Sequence, residues 1–391
     1  MNLDTLGKSP IGRLVKITVP VADGASNGHY FAFVPNPLPQ FPQLSEATIN
    51  AITDAAMAVA RLDVTISALP NPQLLVRLMI RREATATSAL EGTHAELGEV
   101  LHSDFLEENQ MTREQKEISN VIRATEFLME QIKTRPLSRT LLGETQLLIV
   151  KGTRDEEWDS GDLRKRQVII GRQGAPIEES RFIPPPNGTE LEEGFSDWEK
   201  WINNFRSIPL IVRMALGHYQ FETLHPYNNG NGRVGRLVVL MQLIEEGILR
   251  FPVLDLSSWF DKNRSAYIDN LLRLSETGDF DTWIQFFSKA IEVRSNEIRM
   301  IANKLIEFRD QTKKKMMETG FRGVTAFHII DHLISYPILD IQSAQKFTGK
   351  SFESTNAAVV KLVQAGVLWE ISGQKRNRIF MCREVMDIVR E

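Results

Sequence analysis

Between two apolar runs, LIVRMALGHYQFETL and LVVLMQLI, the chain places the segment HPYNNGNGRVGR, His225 to Arg236. Gly230 and Gly232 allow backbone N–H groups to converge at the start of a helix, where the helix dipole adds to an anion site. Arg233 and Arg236 stand three apart, on one face of the first helical turn. Two guanidiniums beside a nest of amides suit a polyphosphate better than a single carboxylate. His225 ends the preceding helix on the rim of the same site, with an expected pKa near neutrality that suits a general base. Gly/Asn loops between helices are often bare connections. The order of histidine, Asn/Gly nest and two arginines is what makes this one read as a phosphate cradle with a base.

The elements that must hold this loop are mostly helical. Helical spacing of apolar residues runs through EATINAITDAAMAVARLDVTI, NPQLLVRLMIRREATATSALEG, EQKEISNVIRATEFLMEQI, SRTLLGETQLLIV and GFSDWEKWINNF before the loop. DTWIQFFSKAIEVRSNEIRMIANKLIEF continues the pattern after it. GRLVKITVPV and HYFAFVP near the N-terminus read as short strands. RKRQVIIGRQGAPIEESRFIPPP reads as a β-hairpin, a lone sheet element in a helical domain. Three short helices from Val324 and two strands around a basic turn then predict a winged helix-turn-helix. The fold class is therefore mainly α, with the domains 1–100, an N-terminal region; 101–300, the body that holds the loop; 301–322, a helical linker; and 323–391, the winged helix.

The 391 residues carry a net charge of -4, so the chain as a whole has no attraction for nucleic acid or an acidic membrane. One cysteine, Cys382, excludes an intrachain disulfide and a thiolate zinc cluster. No apolar run long enough to span a membrane is present and the first residues lack a signal-peptide core, so the expected location is the cytoplasm. Other short motifs fail on one residue each. TGKS at Thr348–Ser351 would need a glycine where Ala344 stands, and HIIDH would need a glutamate at Ile329 to be a zinc helix. His218, amid apolar residues, reads as a core histidine.

HPYNNGNGRVGR resembles the signature of Fic-domain proteins, HPFx[D/E]GNGRxxR, and the resemblance extends over about residues 5–300. GDLRKRQVIIG…RFIPPP looks like the Fic flap, and WFDKNRSAYIDNLLRLSETGDFDTWIQFF like the helices that close the nucleotide pocket. TSALEG, with Thr87, Glu91 and Gly92, looks like the inhibitory motif [S/T]xxxE[G/N] of the subgroup whose inhibitory helix is N-terminal. The resemblance implies a helical core with a hairpin flap and transfer of AMP from ATP to a Ser, Thr or Tyr hydroxyl of a target protein or of the chain itself. It implies His225 as the base and Arg233 as a second catalytic group, binding the β-phosphate. Gly230, Asn231 and Gly232 would line the anion hole, Arg236 would take the γ-phosphate, and Asn263 and Tyr267 would meet adenine. Gln167, Val168, Ile169 and Ile170 would belong to the flap that pairs with the target backbone. Asn229 stands where the family has a Mg²⁺-ligating Asp or Glu, so the metal is expected on a neutral amide. Glu91 would pair with Arg236 and occupy the place of the γ-phosphate.

An alternative reading has a transcriptional or protein-binding regulator built on the winged helix, its Fic core inactive or sensing nucleotide. From Val324 on, basic and acidic residues nearly balance, and only Lys375, Arg376 and Arg378 cluster. DNA is thus a lesser expectation for this unit than protein contact. Helical domains of this sort often pair, which leaves a homodimer open.

Overall fold

The computed structural model describes residues 1–20, 27–69, 71–172, 176–204, 207–318, 323–374 and 376–390. A short α1 (Leu3–Leu6) precedes the antiparallel pair β1 (Gly12–Pro20) and β2 (Asn27–Pro35), which are in register from Gly12 opposite Pro35 to Pro20 opposite Asn27. Six helices follow: α2 (Glu46–Ser67), α3 (Gln73–Leu90), α4 (Leu97–Ser103), α5 (Arg113–Gln131), α6 (Arg139–Val150) and α7 (Thr189–Asn204). The centre is α8 (Leu210–Leu224) and α9 (Asn231–Glu245), flanked by α10 (Leu256–Lys262), α11 (Arg264–Thr277) and the 39-residue α12 (Phe280–Glu318). The C-terminal unit runs α13 (Val324–His332), β3 (Ile338–Asp340), α14 (Ile341–Thr348), α15 (Phe352–Gln364), β4 (Trp369–Glu370), β5 (Ile379–Met381) and α16 (Arg383–Arg390), with sheet order β3-β5-β4.

Buried residues lie on every face of α8 and α9, as their nearly unbroken apolar runs require. Trp198 and Trp283, both 1% exposed, pack against α8 and donate their indole N–H groups to Gly217 O and Ala215 O. The loop between α8 and α9 is thus anchored at both ends in the centre of the core. α12 lies along α2 and runs unbroken from Phe280 to Glu318, from the helical body toward the C-terminal unit.

Two expectations about β-structure change. The regular ladder beside the helical body is β1–β2, so the 167–183 segment is not a lone sheet element. Among its described residues that segment contains a single bridge, Ile170 to Phe182, and a 3₁₀ turn at Ile177–Glu179, while the expected turn at 173–175 lies outside the described residues. Gln167, Val168 and Ile169 make no ladder. Gln167 instead donates its amide to Val168 O and Pro184 O, both at 3.0 Å. The returning strand is used elsewhere: Phe33 N donates to Ile183 O at 2.9 Å, so β2 takes the pairing that a longer hairpin would have used.

Candidate active site

Leu224 is the last residue of α8, and His225 caps it in the left-handed region at φ 47°. Gly230, at φ 79°, caps the N-terminus of α9 without a side-chain bond, which leaves the first amides of α9 without a capping side chain. Gly232 leaves room for the Glu91–Arg236 pair. A Cβ there would collide with Glu91 Oε1 and the Arg236 guanidinium. Asn231 faces inward: its Oδ1 accepts from Tyr227 N at 2.8 Å and its Nδ2 donates to Tyr227 O at 2.7 Å, which locks the loop into a closed ring. Of its groups, only the main chain is left for an anion.

The two arginines diverge. Arg236 donates Nε to Thr87 Oγ1 at 2.7 Å and Nη2 to Thr87 O at 3.2 Å and to Glu91 Oε1 at 2.6 Å. The expected Glu91–Arg236 contact is therefore present, with Glu91 at the C-terminal cap of α3 and Gly92 leaving it at φ 86°. Burial works against the Glu91 carboxylate, but Arg236 and then Arg233 outweigh it and hold its pKa below the usual value. Arg233 turns away to an ion pair with Asp155 Oδ2 at 2.8 Å, and its Nε and Nη1 are buried with no partner among the described residues.

His225 departs from the expectation of a near-neutral pKa. Burial, then the nearby Arg164 charge, push it down to about 4, against an opposing pull from Glu91. The imidazole is consequently neutral at pH 7, the form a general base needs.

One cavity of about 580 Å³ joins these groups. His225, Gly232, Arg236, Glu91 and Tyr267 line it, with Ile170 and Phe182 of the bridged segment across from them. Tyr267 stacks on Phe260 with ring centroids 4.5 Å apart and shares its hydroxyl with His218 Nε2 at 2.7 Å. Burial drives His218 down to about 3, so it is the neutral core histidine expected. Asn263 is not brought to the cavity: its amide donates to Trp259 O at 2.9 Å, and the next residue, Arg264, reaches the lining instead.

Asn229 also points away, toward the 151–160 segment, donating Nδ2 to Asp155 O at 3.0 Å with Glu157 Oε1 at 3.5 Å. Among the described residues no three His, Cys, Asp or Glu gather as a metal cluster. Sequence reasoning missed Asp155, Arg164 and Glu222. Glu222, one helical turn before His225, lines the cavity with its Oε1 unpartnered among the described residues, and burial raises its pKa to about 7.

The order of elements and the loop between α8 and α9 can be compared with known proteins. Residues 49–130 match the Fic/DOC family N-terminal region, and residues 136–243, which hold the loop, match the Fic/DOC family domain. The chain thus carries a Fic/DOC domain preceded by the Fic/DOC N-terminal region. The crystal structure of a Fic family protein from Desulfovibrio desulfuricans superposes with a TM-score of 0.56 over 88% of this chain and 98% of that one, at 18% identity, a likeness of fold. Protein adenylyltransferase fic-1 of Caenorhabditis elegans is 24% identical over 213 residues, 53% of this chain and 38% of that protein. A probable protein adenylyltransferase of Aquifex aeolicus is 35% identical over 99 residues, 25% of this chain and 28% of that one. The chain thus spans well under half the length of these two relatives.

Proposed function

We propose that this Fic protein transfers AMP from ATP to a hydroxyl of a protein, and that Glu91 restrains it. The reading rests on one observation: His225, Gly232 in the first turn of α9, Arg236 and Glu91 line a single cavity of about 580 Å³. The names of the relatives, protein adenylyltransferases, agree with it. In this reaction the target hydroxyl gives its proton to the neutral His225 imidazole as its oxygen attacks the α-phosphorus, and the bond to the pyrophosphate oxygen breaks. The amides of Gly230 to Gly232 stabilise the charge that grows on phosphorus-bound oxygen. Arg236 takes the γ-phosphate and Arg233, swinging from Asp155, the β-phosphate. Tyr267 forms the adenine side of the cavity. The target segment pairs with the flap edge near Val168 to Ile170, where Ile169 is 41% exposed.

The Asn229 side-chain oxygen is the hard donor the loop would offer a Mg²⁺, since its Nδ2 is the atom that faces Glu157 and Asp155 O, and a bound triphosphate would have to supply most of the remaining oxygens. Such a metal would neutralise charge on the leaving pyrophosphate. While Glu91 holds Arg236, a γ-phosphate meets a carboxylate in its own seat and is repelled. The C-terminal unit, whose elements follow the order helix, strand, helix, helix, strand, strand, is read as a winged helix. Its basic turn is small: Arg378 leans on Asn356 and Phe380, and Lys375 lies outside the described residues. A protein partner, a second copy included, therefore suits it better than DNA. No helix among the described residues is long and apolar enough to cross a membrane.

The decisive experiment compares labelling of protein by α-³²P-ATP and Mg²⁺ for the parent, Glu91→Gly and His225→Ala with Glu91→Gly. Glu91→Gly should label more than the parent, and adding His225→Ala should abolish the label. Equal labelling with and without His225 would end the catalytic reading. The alternative, a nucleotide-sensing regulator, draws on the uncharged Asn229, and it predicts ATP binding without any mass gain on the chain.

A further inference from the structure

Arg164 is 2% exposed, among the largest fully buried side chains, and no carboxylate pairs with it among the described residues. A buried guanidinium without an anion is costly unless its donors are satisfied. Here carbonyls satisfy them. Nε donates to His225 O at 2.9 Å, Nη1 to Arg166 O at 3.1 Å, and Nη2 to Pro185 O and, at 3.5 Å, to Leu224 O. Its main-chain N donates to Pro226 O at 2.9 Å.

These acceptors are not scattered. Leu224 and His225 end α8, whose C-terminal carbonyls and dipole favour a cation. Arg166 and Pro185 are the two roots of the flap segment 167–183. His225 itself is held at φ 47°, a conformation that a residue with a Cβ keeps only when its surroundings impose it. On one side its N–H donates to Phe221 O at 2.9 Å; on the other, Arg164 grips its carbonyl.

We propose that Arg164 is a positioning residue that fixes the His225 imidazole and both roots of the flap as one rigid piece, so that base and target strand keep a constant separation. The kinetic part of this proposal rests on the AMP-transfer reading; the structural part does not. Lysine cannot replace the arginine, because its single ammonium lacks the planar fork that reaches four carbonyls at once. The guanidinium also helps to keep His225 uncharged, second to burial. The other charged groups facing the cavity with His225 are Glu91 from α3, Glu222 from α8, Arg236 from α9, Arg264 from α11, and Arg172, Glu179 and Arg181 from the flap side.

The test uses the full chain carrying Glu91→Gly, alone and with Arg164→Lys or Arg164→Met. Three quantities are read: kcat and KM for ATP in α-³²P labelling, the melting temperature, and the titration of His225 by ¹⁵N-histidine NMR. The His225 resonance is identified by its loss in His225→Ala. Arg164→Lys should lower kcat about 100-fold, as a misplaced base does, with KM for ATP little changed. Its His225 should remain neutral to low pH, because the charge is retained. Arg164→Met should show the same loss of kcat, and its His225 midpoint should rise toward the ordinary value of about 6.5. A fully active Arg164→Lys chain, or a His225 midpoint identical in all three folded chains, overturns the proposal. If the Glu91→Gly chain transfers no AMP, the functional reading fails, and the NMR midpoints still decide the role of Arg164.

Discussion

At the scale of single residues, the site depends on keeping one base neutral and two cations directed. In the proposed reaction His225 acts as a base only when uncharged, and burial with Arg164 moves its pKa down to about 4. The acid limb of kcat against pH, measured on Glu91→Gly, should therefore fall well below the value near 6.5 of an ordinary histidine. Removing Glu91 takes away a carboxylate that pulls the pKa up, so it cannot move the limb upward. A limb at 6.5 would mean that His225 is solvated during turnover. Asn229 is the other residue to vary. Asn229→Asp sets a carboxylate against Asp155 O and Glu157, which now accept from its amide. The variant should melt a few degrees below the parent in EDTA and recover on adding Mg²⁺ with ATP, as read by scanning calorimetry. Unchanged melting in both conditions would show that position 229 faces no metal. His225, Gly230, Gly232 and Arg236 were legible in the sequence because their relations lie within one loop and one helical turn. Asp155 and Arg164 were not, because each meets the loop across 60 or more residues, as with Arg164 to His225 and Asp155 to Arg233.

At the scale of elements, the helical segments were legible from apolar spacing, whereas the flap was not. Its two β-prone runs, QVII and RFI, suit a strand, but β2 takes the pairing of Ile183, and among the described residues only Ile170 and Phe182 bridge. α3 shows how an element can carry chemistry at both ends. Beyond Thr87 and Glu91, its Glu83 accepts from Ser257 N at 3.1 Å, near the start of α10, and meets Ser257 Oγ. Burial raises the Glu83 pKa to about 8, aided by Asp255 and opposed by Ser257 and Arg236. In the unfolded chain the group titrates near 4.5. The native state thus holds the extra proton between these values, and the stability it confers is complete below 4.5 and lost as pH rises through 8. Glu83→Gln removes this titration while keeping the shape. Chemical denaturation at pH 5 to 8 should give a parent whose stability falls more steeply than that of the variant, by up to ~1.4 kcal/mol per pH unit. Parallel slopes would mean that Glu83 stays ionised and that α3 and α10 meet through some other contact.

At the scale of the whole molecule, the C-terminal unit grips the helix that carries Glu91. Arg77 of α3 donates to Ser335 O and lies 3.8 Å over the Tyr336 ring, and Ser335 Oγ donates back to Leu74 O. One and a half turns on, Arg82 donates to Val389 O at 2.7 Å in α16 and pairs with Asp255 at 3.0 Å, which Arg294 of α12 also holds. From Arg82 to Glu91 the helix is a rod of about 13 Å at 1.5 Å per residue. A shift at the grip is therefore carried to the Glu91–Arg236 contact without a joint to absorb it. If α3 is the connection, Tyr336→Ala, which removes the face under Arg77 but leaves the helix sequence intact, should raise α-³²P labelling of the full chain. In the Glu91→Gly background the same substitution should add nothing, because the carboxylate it would displace is gone. Two changes acting on one contact are non-additive in this way, whereas independent effects multiply in rate. Initial rates for the four chains, with melting temperatures to separate loosening from unfolding, decide the matter. A Tyr336→Ala effect that persists at full size without Glu91 would place the influence of the C-terminal unit elsewhere than on α3.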